Sequence, residues 1–92
     1  MSVVVRVPAQ LRSLTGGVGE VKVEASGSLK DTLDEMFLKY PDLKARILDD
    51  SGALRRFVNI FVSDEDIRFQ EGLDTKVSDG QVISIVPAVA GG

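Results

Sequence analysis

The chain contains no histidine and no cysteine. That removes imidazole acid–base chemistry, thiolate nucleophiles, redox pairs and zinc sites from its repertoire. What remains is sparse. Gly16-Gly17-Val18-Gly19 lacks the Gly-Lys-Ser/Thr ending of a phosphate-binding loop and precedes a strand pattern rather than a helix, so it reads as a hairpin turn. Asp64-Glu65-Asp66 lacks the alternating ligands and the glycine of a calcium loop and reads as a solvated turn. Arg55-Arg56 reads as surface charge. The serines have neither a Gly-x-Ser-x-Gly setting nor a histidine partner. Such a chain is not expected to be an enzyme by itself.

The end of the chain is different. It closes on Gly91-Gly92, a pair that chance places there in roughly 0.5% of chains at a glycine frequency of about 7%. The plain alternative is a frayed terminus. Against it, the last strand pattern runs almost to the end, so a terminal carboxylate is held a few residues from a rigid body. Glycine lacks a Cβ, so such a tail can thread a narrow channel in another protein. Adenylation by ATP would turn the carboxylate into an acyl donor. A sulfur donor could then convert it to a thiocarboxylate, a good nucleophile that needs no cysteine.

The elements that must carry this tail follow from periodicity. Ser2 to Val7 is rich in β-branched residues and Pro8 closes it. Glu20 to Glu24 alternates strictly, and the two segments read as a hairpin with a longer loop. Ser28 can cap a helix, with Asp31 in capping-box position. Leu29, Leu33, Met36, Phe37 and Tyr40 follow at helical spacing, and Pro41 stops them. Leu43, Ile47 and Leu48 suggest one further short turn of helix, broken at Asp49-Asp50-Ser51-Gly52. Phe57 to Val62 is the strongest strand. Ser63 to Asp66 then turns the chain and Ile67-Arg68-Phe69 is expected as a short return strand. Asp79-Gly80 is a turn signal before a last strand over Gln81 to Val86, ended by Pro87. One amphipathic helix covers one face of such a sheet, which predicts an α+β layer pair of the β-grasp, ubiquitin-like kind: a mixed sheet of about five strands on one main helix. The expected division is a body over 1–87 and a flexible tail over 88–92.

Composition agrees with a single globular domain: 92 residues, 43% hydrophobic and 27% charged. A net charge of −3 disfavours nucleic acid as a partner. No apolar run approaches a membrane span and the N-terminus does not read as a signal peptide, so a cytoplasmic location is the default expectation.

Several stretches together resemble the MoaD/ThiS family of ubiquitin-like sulfur carriers. They are Phe57-Val58-Asn59-Ile60-Phe61-Val62, Leu73-x-Thr75-x-Val77-x-Asp79-Gly80 and the Gly91-Gly92 ending. Arg56 to Ile60, Asp64-Glu65-Asp66-x-Arg68-Phe69 and Pro87-Ala88-Val89-Ala90-Gly91-Gly92 are most similar to the branch of that family serving cysteine biosynthesis. The resemblance implies that an E1-like adenylyltransferase and sulfurtransferase would activate Gly92 with ATP, the carrier itself binding no cofactor and no metal. It further implies a pyridoxal-phosphate-dependent sulfhydrylase that presents an aminoacrylate made from O-phosphoserine, and a zinc-dependent peptidase that releases cysteine. Related carriers serve thiamin, molybdopterin and other products. A ubiquitin-like protein modifier, or a binding module with an idle tail, are the competing readings.

Strand alternation also predicts a partner surface. Arg6, Asn59 and Ser84 are polar residues in mid-strand and should face away from the helix. Val3, Val5, Val7, Val58, Ile60, Val62, Ile83 and Ile85 should then pack beneath it. This leaves Val4, Pro8, Phe57, Phe61, Val82 and Val86 on the open face, an apolar surface of the kind that marks binding sites. Pro8, Phe57, Phe61, Val86, Pro87, Ala88, Val89 and Ala90 are the expected partner-binding residues, with Gly91 and Gly92 as the reactive end.

Overall fold

The computed structural model describes residues 2–24 and 27–87. Strand β1 (Ser2–Arg6) is followed by a 3-10 segment (Ala9–Thr15), β2 (Glu20–Glu24), helix α1 (Leu29–Lys39) and helix α2 (Asp42–Ile47). Then come β3 (Val58–Val62), β4 (Glu65–Asp66), two short 3-10 turns (Ile67–Phe69 and Gly72–Asp74) and β5 (Val82–Pro87). The strands form one sheet in the order β2-β1-β5-β3-β4. β1 and β5 are parallel, and the other neighbours are antiparallel.

The alternation read from sequence sets the faces. Val3, Val5, Val7, Val58, Ile60, Val62, Ile83 and Ile85 are all buried, in one core with Leu29, Leu33, Met36, Phe37, Leu43 and Ile47 from the helices. Burying each such aliphatic side chain stabilises the fold by about 1.5–3 kcal/mol before conformational entropy is set against it. The intervening residues Val4, Arg6, Asn59, Phe61, Val82, Ser84 and Val86 are half-buried or exposed.

Local chemistry places the helices. The Ser28 hydroxyl accepts from the Asp31 amide at 3.1 Å, the expected N-cap of α1. The Leu29 amide, another free donor of that first turn, is taken by the Thr75 carbonyl at 2.8 Å. The Val77 amide donates to the Gly27 carbonyl at 3.0 Å and Val77 itself is buried. The Leu73 to Gly80 stretch is therefore a strap across the start of α1. Its far end is fixed as well: the Ser2 amide donates to Asp79 Oδ1 at 2.7 Å and the Gly80 amide to the Ser2 carbonyl at 2.8 Å. Gly80 has φ +82, a conformation that side chains resist.

One expected element is corrected. Ile67-Arg68-Phe69 is not a strand. The hairpin turn is only Ser63-Asp64, both at positive φ, so the return strand is Glu65–Asp66. Asp66 Oδ1 then accepts from the Arg68 amide at 2.8 Å and caps a 3-10 turn in place of further ladder. Ile67 points into the core, whereas Phe69 is 90% exposed. The loop between β1 and β2 likewise holds a 3-10 segment, closed by Gly16 at φ +67, with Thr15 buried.

Candidate functional site

Strand β5 is central, flanked by β1 and β3. Its pairing with β3 runs without a break from Val62↔Ile83 to Val58↔Pro87. The chain is thus fixed on a ladder up to Pro87, five residues before Gly92. The expected reactive glycine Gly92, with Gly91 and the tail residues Ala88, Val89 and Ala90, lies outside the described residues.

The residues around that exit come from separate elements. A turn over Arg55 to Val58, closed by the Val58 amide on the Arg55 carbonyl at 3.1 Å, presents Arg56 and Phe57. It leads directly into the β3 residue that pairs with Pro87. Phe57 is 51% exposed and Val86 43% exposed. Val86 stands opposite Asn59. Phe61 lies one row further from the exit, opposite Ser84, and is half-buried. The β1–β5 register pairs Arg6 with Ser84. That pairing ends there, and Pro8, two residues past Arg6, is half-buried and outside the strand. Phe57 and Pro87 share one cleft, and Phe61 and Val86 stand on the open face of β3 and β5; no pairing places Pro8 with them. Arg6, Ser84 and Asn59 interrupt this surface, and Arg6 is tied to Glu20 at 3.5 Å. Its most exposed apolar residues are thus Phe57 and Val86 rather than the whole expected set.

Sequence reasoning missed the residue that holds this corner. The Arg68 guanidinium reaches back across the sheet edge to β3. It donates to Asn59 Oδ1, to the Val58 carbonyl at 2.8 Å and, at longer range, to the Arg56 and Arg55 carbonyls at 3.4 and 3.5 Å. One planar fork thus braces the turn that carries Phe57. The only sequence signal was the Asp66-x-Arg68 spacing, which becomes meaningful once Asp66 caps the 3-10 turn.

Beside the exit, Arg46, Asp49, Arg55, Arg56, Phe57, Val58 and Pro87 line a cleft of about 480 Å³. Asp49 Oδ1 accepts from the Ser51 hydroxyl at 2.6 Å, the Ser51 amide at 2.9 Å and the Ala53 amide at 3.0 Å. These bonds, the Ser51 hydroxyl first and then the Ala53 amide, hold its carboxyl below the ordinary carboxylate range, with Arg55 adding to the effect. Among the described residues no group of histidine, cysteine, aspartate and glutamate could hold a metal ion. None of their helices is long and apolar enough to cross a membrane.

A mixed sheet backed by helices, with the chain leaving from its central strand, defines a β-grasp, the ubiquitin-like fold. Within that class the chain belongs to the ThiS family, whose model matches residues 5–92. It is 45% identical over 95 residues to the sulfur carrier protein CysO of Mycobacterium tuberculosis, covering 100% of both chains. In structure it is similar to a chain of the Amycolatopsis orientalis BexX/CysO complex, with TM-score 0.90 and 39% identity over 98% of this chain and 99% of that one. It is also similar to small archaeal modifier protein 1 of Methanosarcina acetivorans, with TM-score 0.83 and 33% identity over 99% and 96%.

Proposed function

We propose that this protein is a sulfur carrier whose working group is the carboxylate of Gly92, borne on a tail over 88–92 by a body over 1–87. The observation that carries the reading is the full-length likeness to a sulfur carrier, with a family match that includes residue 92. The ladder that brings the chain to Pro87 fits it.

In the first step a Gly92 carboxylate oxygen attacks the α-phosphorus of ATP and pyrophosphate leaves, giving an acyl-adenylate on an E1-like enzyme. In the second, hydrosulfide attacks the acyl carbon, AMP leaves with the electron pair of the broken C–O bond, and loss of the sulfur-bound proton gives a thiocarboxylate. The chain has no histidine or cysteine to promote either step, so its partners supply the catalysis and it serves as their co-substrate. Its own contribution is positional. A rigid exit at Pro87 limits the space the last five residues sample, and small residues let them enter a channel. The sulfur is then passed to an acceptor synthase. The relative's name and the resemblance of the tail favour cysteine made from O-phosphoserine by a pyridoxal-phosphate-dependent sulfhydrylase, with a zinc-dependent peptidase restoring the carrier. Phe57, Phe61, Val86, Pro87 and Pro8 form the surface these enzymes grip, with Ala88, Val89 and Ala90 inside the channel. The cytoplasm, where ATP is at hand, is the setting.

The likeness to an archaeal modifier protein favours a second reading, in which the same activated glycine is joined to lysines of other proteins. Deleting Gly92, or adding one residue after it, tests the shared premise. Either variant should fold as the parent does and lose sulfur transfer; transfer at the parental rate without prior processing contradicts the proposal. Accumulation of higher-mass conjugates in place of a thiocarboxylate selects the modifier.

A further inference from the structure

Four of the six arginines of the chain stand at one corner. Arg68 braces the turn, and Arg46, Arg55 and Arg56 line the cleft beside Pro87. The chain as a whole carries a net charge of −3, so this corner opposes the sign of the molecule. Among the described residues of the lining the one carboxylate is Asp49, which accepts from Ser51 and Ala53 and is set against Arg55, leaving Arg46 and Arg56 in excess. Arg55 is anchored through Nε on the Ala45 carbonyl at 2.7 Å. Arg46 and Arg56 are exposed and form no ion pair with another described residue.

A merely solvated surface has no need to set unpaired cations side by side, since each raises the potential at the other. Arginine is also the cation whose planar fork and weak hydration suit carboxylates at an interface. The other half of the lining, Phe57, Val58 and Pro87, is apolar. A bare phosphate would leave that half unused, whereas a peptide covers it with its backbone and stems.

We propose that the Arg46–Arg56 cleft is a docking site for an acidic segment of the enzyme that takes the tail, with Asp or Glu side chains on the guanidinium groups and the segment lying against Phe57 and Pro87. The proposal rests on the carrier reading for the identity of the partner. Since Pro87 lines the cleft, a segment held there lies at the mouth of the channel that the next five residues enter. Charge pairing of this kind acts on encounter and register, so its signature is a salt-dependent KM for the carrier with an unaltered kcat.

The test uses ATP–pyrophosphate exchange by the adenylating enzyme from the same cell, with Arg56→Glu and the double variant R46E/R56E. The Arg56 side chain makes no hydrogen bond or ion pair with another described residue, so R56E alone serves if the double variant is less stable. Both should raise the KM for the carrier by about tenfold and leave kcat in place, with the larger part of the gap closing between about 0.05 and 0.5 M salt. Lys30→Glu, on the exposed side of α1, should change neither constant. An acidic residue of the enzyme changed to arginine should restore R56E. Equal KM values and equal salt dependence for parent and variants overturn the proposal, as does a fall in kcat alone. If the parent itself supports no exchange, the carrier reading has failed, and the cleft is judged by titrating a capped hexaglutamate peptide. Arg56 and Phe57 resonances should shift in the parent and not in R46E/R56E; no shift overturns it. Movement of the Arg56 side-chain resonance when residues 88–92 are removed would show that the cleft holds the chain's own tail, which also overturns it.

Discussion

Replacing Arg68 by alanine removes the side chain that bonds β3 and the turn before it, and should disturb the corner at Pro87. Two of its bonds are short, to Asn59 Oδ1 and to the Val58 carbonyl at 2.8 Å, and two are long. Arg68 is exposed, so each short bond is worth the lower part of the range for charged donors, and the loss sums to about 1–2 kcal/mol. For a domain of this size that lowers Tm by roughly 4–16 °C. Lysine keeps the charge but cannot span two acceptors with a planar fork, so Arg68→Lys should recover less than half of the loss. Differential scanning calorimetry reads the stability. The KM for the carrier in the exchange assay reads the placement of Phe57, and should rise a few-fold with kcat unchanged. If R68A melts within about 1 °C of the parent, or if R68K restores it fully, the guanidinium does not brace this turn and the argument is wrong.

Other expectations follow from single features. Val86→Asp and Phe61→Asp should weaken binding to the adenylating enzyme by about tenfold or more while Tm falls little, because neither side chain is in the core; a large fall in Tm with binding intact would mean the opposite face meets the partner. Ser28→Ala should cost about 1 kcal/mol in urea unfolding through loss of the α1 cap, and an unchanged midpoint would remove the cap from the account. Asp49 has a depressed folded pKa, so its contribution to the 49–55 loop is present above the unfolded pKa and is lost as pH falls through the folded one. The Ser51 and Ala53 amide resonances should therefore titrate together below the ordinary carboxylate range, and Asp49→Asn should abolish that step.

Much of this architecture was legible because a two-residue period leaves little freedom. Polar Arg6, Asn59 and Ser84 each sit between apolar neighbours, and burying Ile60 and Ile83 turns them outward. Ser28 and Pro41 bracket α1 through local chemistry that needs no tertiary information. The misread Ile67-Arg68-Phe69 stretch looks like a strand by composition. What redirects it is a side chain, Asp66, competing for the backbone. Arg68 was invisible for a different reason: its partners are nine to thirteen residues away, and only the return of β4 along β3 brings them together. The basic cleft has the same origin, since Arg46 on α2 and Arg55-Arg56 before β3 meet only in the folded chain beside Pro87. Arg55-Arg56 had read simply as surface charge. Gly92 was singled out by elimination, in a chain without histidine or cysteine, and it lies outside the described residues.

The central claim is that sulfur is carried on the last residue. Intact-mass analysis after incubation with the adenylating enzyme, ATP and sulfide tests it most directly. The account predicts a mass gain equal to the exchange of one oxygen for sulfur, mapped by peptide fragmentation to Gly92 and absent without ATP. A sulfur found on any internal residue, or a Gly92 that stays a carboxylate while the enzyme turns over, would contradict it.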